Sequence, residues 1–80
     1  MQVERVQTGV RIERSLLKVM KGVAELHNLT LGDLIEGVML HAFEGKAPFS
    51  PQTLAKIVEL KNVYDCQLGA ANAHRLREAS

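Results

Sequence analysis

Gln7 and Arg11 lie in the run VQTGVRIER, alternating with Thr8, Val10 and Ile12 and separated by Gly9. A glutamine amide pairs with adenine through two hydrogen bonds, and an arginine guanidinium pairs with guanine in the same way. Two such side chains on one face of an extended segment suit the reading of base edges. Gly9, between them, has no side chain to read with. It allows close approach of the backbone or marks a bulge.

The charges around this run are unevenly distributed. Residues 1–21 carry Arg5, Arg11, Arg14, Lys18 and Lys21 against Glu4 and Glu13, a balance of +3, whereas residues 22–45 stand at −4 and residues 46–80 at +2. The total of +1 conceals this. A basic strand end attracts phosphate, and an ordinary solvated face gives the same balance. Arg5, Arg14 and Lys18 are the candidates for phosphate contact.

Other chemistry finds little support. His27, His41, His74 and Cys66 do not fall at zinc-ligand spacing. There is no glycine-rich phosphate loop and no serine-centred hydrolase motif. No enzyme activity and no cofactor are expected. The single cysteine excludes an intrachain disulfide.

The elements that must position these residues follow from periodicity. VQTGVRIER alternates as a half-buried β-strand does. Leu16, Met20, Val23 and His27 recur at helical spacing, which predicts a helix over 14–27. Asn28 suits a helix stop. Thr30 is a candidate N-cap, with Asp33 in the first turn where the helix dipole favours an acid. The following helix presents Leu31, Leu34, Ile35, Val38, Met39, Ala42 and Phe43, and Gly45 ends it. Ser50-Pro51 opens a third helix over 51–65, with serine as cap and proline at the first position. Beyond Cys66, QLGAANAHRLREAS extends that helix, forms a short fourth one, or frays.

A lone strand leaves its backbone groups unsatisfied, and no second strand-like run occurs in the chain. Eighty residues bury a small core, which oligomerisation commonly supplements. Both difficulties are met if two copies pair their strands antiparallel across a two-fold axis. Thr8, Val10 and Ile12 would then face inward, as the dimer core of the ribbon. Gln7, Gly9 and Arg11 would face outward.

In this arrangement the chain resembles the ribbon-helix-helix DNA-binding proteins. VQTGVRIERSLL, VAELHNL and TLGDLIEGVMLHAF carry the resemblance, over residues 5–45. It implies a mainly α fold, with one N-terminal strand pairing across an intertwined homodimer, Leu34, Ile35 and Val38 of the second helix in the dimer core beside Thr8, Val10 and Ile12, and an extra C-terminal helix. It also implies major-groove reading by a two-stranded ribbon, through Gln7, Gly9 and Arg11. The family anchors the DNA backbone at the start of its second helix, which here is Thr30 with the N–H groups of Leu31 and Gly32. Free N–H groups at a helix start bind phosphate on physical grounds alone, and Asp33 opposes this.

The resulting expectation is a dimerisation and DNA-binding domain over 1–45 and a helical extension over 46–80. The function expected is that of a homodimeric, sequence-specific repressor of transcription acting on double-stranded DNA. The alternative is an antitoxin or interaction module that holds a partner protein through residues 48–80. No membrane-spanning run and no signal-like segment is read in the sequence, so the expected location is the cytoplasm.

Overall fold

The structure, a computed structural model, describes residues 1–79. Three helices of 13 residues each form it: α1 (Arg14–Leu26), α2 (Leu31–Phe43) and α3 (Pro51–Val63). A 3-10 turn, Ala70–Asn72, follows.

Local side-chain chemistry starts each helix. The Glu13 carboxylate accepts from the backbone N–H groups of Ser15 and Leu16 and from the Ser15 hydroxyl. Thr30 Oγ1 accepts from Asp33 N–H at 3.1 Å, and Ser50 Oγ accepts from Thr53 N–H at 3.1 Å. The last two are the caps expected from the sequence. The Glu13 cap has no counterpart in that reading.

All three helices end in the same manner. Asn28, Gly45 and Asp65 take positive φ angles of 55°, 70° and 52°. The next residue in each case returns its N–H to a carbonyl in the last helical turn: Leu29 to Ala24 (2.9 Å), Lys46 to His41 (2.9 Å) and Cys66 to Lys61 (2.8 Å). This is the Schellman closure, which satisfies carbonyls that a helix end otherwise leaves without partners.

Helix α1 is central. α2 and α3 each pack against it and not against each other. The core consists of Val19, Val23 and Ala24 of α1, Leu34 of α2 and Cys66, with Leu16, Met20, Phe49, Ile57 and Leu60 around it. A polar link joins the C-terminal end of α1 to the start of α3: Ser50 Oγ donates to Thr53 Oγ1, which lies 3.2 Å from His27 Nε2. The segment after α3 does not continue as a helix. Lys61 Nζ donates to the Leu68 carbonyl at 2.6 Å, and Gly69 N–H donates to Asn72 Oδ1 at 2.8 Å.

The N-terminal segment overturns the expected fold. Residues 1–13 precede the first helix and contain no strand, and there is no strand anywhere among the described residues. A ribbon-helix-helix fold requires a ribbon, so the resemblance does not hold for this structure. The physical reason is that alternation fixes which side chains share a face but supplies no hydrogen-bonding neighbour. Three helices within one chain offer no sheet edge. The proposed inward face is not realised either: Val10 is 71% exposed and Thr8 is exposed, while Ile12 is half-buried. Of the residues assigned to a dimer core, Leu34 is buried within the single chain, whereas Ile35 and Val38 are half-buried.

Because Glu13 caps α1 as a carboxylate, its chemistry makes the helix sensitive to acid. The Ser15 hydroxyl, followed by the N–H groups of Leu16 and Ser15, holds its pKa below the usual carboxylate range. A depressed carboxylate contributes stability that is present above its unfolded-state pKa and is lost as pH falls through the lower folded value. Thermal unfolding followed by circular dichroism should therefore show a midpoint that drops below about pH 4.3. Glu13→Gln should flatten that acid limb. An acid limb of unchanged steepness in the variant would show that Glu13 is not its source.

Candidate nucleic-acid interface

The arm of residues 1–13 runs beside the first turns of α1 and α2. Residues 1–12 make no backbone–backbone hydrogen bonds among the described residues. Side chains therefore hold the arm in place. Arg5 is gripped from two sides, with Nε and Nη2 donating to Glu36 Oε2 (3.1 Å) and Oε1 (2.9 Å), and with Asp33 Oδ1 3.6 Å from Nη2. The Arg5 hydrogen bond, with the attraction of its charge, holds the Glu36 carboxyl below the usual range, and the same pairing raises the Arg5 pKa.

Arg5, Thr30, Gly32, Asp33 and Glu36 border one shallow cleft. Several residues read from the sequence as phosphate contacts thus come together at the start of α2. The N–H groups of Leu31 and Gly32 donate to no hydrogen bond among the described residues, whereas the Thr30 oxygen is engaged in capping. Free N–H groups at a helix start favour an anion, and the two carboxylates beside them oppose it.

Gln7, Gly9 and Arg11 are exposed. Gln7 and Gly9 border a second cleft together with Lys21, Leu31 and Gly32. No side chain or backbone atom stands where a Cβ on Gly9 would lie, so packing within the chain does not require a glycine there. Arg11 pairs with Glu78 at 2.5 Å. Arg14 borders the same cleft as Arg11, together with Arg77 and Glu78. Lys18 lies apart from this group, its ammonium 5.9 Å from the centre of the Tyr64 ring, within cation–π range.

The sequence reading did not anticipate Glu36, Arg77 or Glu78 at this surface. The charge run HRLRE is visible in the sequence, but nothing in its spacing shows that it returns to the arm. His41 Nδ1 lies 2.7 Å from the Gly37 carbonyl, and no three potential metal ligands cluster among the described residues.

A second surface is apolar. α2 and α3, each packed on α1, leave a groove of about 340 Å3 between them. Its floor is α1, through Leu16, Val19 and Met20, and its walls include Ile35, Met39 and Ile57. Beside it, Met39 is 43% exposed and Phe43 is 76% exposed. Of the apolar residues of α2, only Leu34 is buried. Among the described residues no helix is long and apolar enough to cross a membrane. Comparison with family models, with curated proteins and with solved structures finds no match to the chain.

Proposed function

We propose that this chain is a homodimeric, sequence-specific DNA-binding protein with the role of a transcriptional repressor, and that it engages duplex DNA through the extended arm of residues 1–13. The observation that carries the reading is the arm itself. It is exposed over residues 1–11, makes no backbone–backbone hydrogen bond over residues 1–12 among the described residues, and bears Gln7 and Arg11, whose chemistry suits base edges. The unengaged N–H groups of Leu31 and Gly32, with Arg14 and Lys18, supply candidate phosphate contacts. Binding to duplex DNA across a salt series tests the reading. Log affinity should fall linearly with log salt as counterions are released. Absence of binding at low salt to any duplex, including the chain's own promoter, would overturn it.

Dimerisation is supported by the apolar groove beside α2. Met39→Glu places a charge on that face without touching the buried core, since Met39 is partly exposed in the single chain. Light scattering at micromolar concentration should show a dimer for the natural chain and a folded monomer for this variant. A folded monomer for both would remove the dimer from the proposal.

The alternative is an interaction module that holds a partner protein through residues 48–80. The exposure of Leu54 and Val58 on α3 favours it, as apolar positions at helical spacing suit a groove-binding contact. Partner capture that survives deletion of the segment would exclude it.

A further inference from the structure

We propose that Glu78 is an internal competitor for DNA phosphate: the C-terminal segment folds back over the arm, and its carboxylate holds Arg11 until a polyanion displaces it. The inference rests on the DNA reading above and assigns a means of tuning to that same surface.

The path of the chain brings the carboxylate to this position. After α3, the positive φ of Asp65 turns the backbone, and Lys61 Nζ fixes the Leu68 carbonyl. The 3-10 turn is closed by Ala73 N–H donating to the Ala70 carbonyl at 3.1 Å, a further turn is closed by Arg75 N–H donating to the Asn72 carbonyl at 3.0 Å, and His74, at φ 64°, redirects the chain that follows. Arg77 and Glu78 then border the cleft that Arg11 and Arg14 share.

The two carboxylates at this cleft have different roles. Glu13 is committed to the cap of α1, where it accepts three hydrogen bonds. Among the described residues Glu78 caps no helix, and its ion partner is Arg11. The same device recurs at the other end of the arm, where Glu36 holds Arg5. Each arginine of the arm thus has a carboxylate as its ion partner. Departure of Glu78 would leave Arg11, Arg14 and Arg77 facing one opening.

The Arg11–Glu78 pair is built to yield. Its side chains are 83% and 64% exposed, and an exposed ion pair contributes little and is screened by salt. The effect on DNA binding is therefore a reduction in affinity that fades as salt rises, and not a block. Anisotropy of a labelled duplex of mixed sequence, titrated with the natural chain, Glu78→Gln and Glu59→Gln, separates the possibilities. Glu59 pairs with Lys56 on α3, so its variant changes net charge by the same amount at another place.

Glu78→Gln should bind about two- to fivefold more tightly than the natural chain at low salt, with the margin closing as salt is raised, and Glu59→Gln should gain less. Equal gains in the two variants, or no gain in Glu78→Gln while the natural chain binds, would overturn the competitor role and leave DNA binding standing. No binding by any of the three would overturn the DNA reading, and the competitor role with it.

Discussion

Leu34→Ala is expected to destabilise the chain by about 2–5 kcal/mol, the range for removing a leucine from a packed interior. The loss is large because α2 has so little else to hold it. Leu34 is the one residue of α2 that is buried, at 6% exposure, and α2 packs against α1 alone. Among the described residues no side chain is completely enclosed, and the buried apolar core consists of five residues. Total stability for a chain of this size is about 4–12 kcal/mol, so one truncation removes a substantial part of it. Urea unfolding should show a midpoint well below that of the natural chain. Leu40→Ala serves as the comparison, since Leu40 is exposed on the same helix and its truncation should cost about 0.5 kcal/mol or less. Both should be measured at one protein concentration, because any dimer contributes to the apparent stability. Equal shifts for the two variants would mean that α2 is not docked through Leu34.

The same sparseness explains which parts of the fold were legible in the sequence. Helix starts and stops depend on groups within a few residues of one another. Thr30 and Ser50 cap because a hydroxyl three residues before an N–H can reach it, and both were readable. Asn28 and Gly45 were readable as stops for the same local reason. Asp65, a less usual residue for the left-handed position, ends α3 two residues before the expected limit. The alternation in VQTGVRIER is as clear as any helical pattern in the chain, yet it gave the wrong element. A strand is stabilised by hydrogen bonds to a neighbour, and the pattern of one segment carries no information about whether that neighbour exists. Arg5 with Glu36 and Arg11 with Glu78 are contacts of this long-range kind. Charge counting showed a basic beginning and an acidic middle, but only the path of the chain shows which acid meets which base.

This pairing changes the meaning of the charge balance. The +3 of residues 1–21 does not stand as an open field at the arm, because carboxylates from α2 and from the C-terminal segment partly neutralise it. The proposed binding of a polyanion would therefore exchange one set of partners for another. The energetic gain comes from the difference between a phosphate and an exposed carboxylate, and that difference is small for charge alone. It grows where geometry adds to charge, as it does for a guanidinium meeting a guanine edge through two parallel hydrogen bonds.

Under the proposed DNA-binding role, Arg11→Ala is expected to weaken binding to the preferred DNA sequence about tenfold or more, as loss of a two-pronged base contact costs about 1–3 kcal/mol and the proposed homodimer would lose one on each arm. The substitution also leaves Glu78 without its partner beside the DNA, which adds repulsion. Two features separate a base contact from a phosphate contact. A base contact predicts a larger loss for the preferred sequence than for a mixed duplex, and little rescue by Arg11→Lys, because lysine keeps the charge but not the fork. A phosphate contact predicts an even loss across sequences, a salt slope shallower by about one for each arm, and substantial rescue by lysine. The preferred sequence, selected from a random duplex library, provides the substrate for both measurements. An even loss with lysine rescue would move Arg11 from the base-reading set to the phosphate set. It would leave Gln7 as the arm's remaining candidate for reading sequence, since Gly9 has no side chain with which to do so.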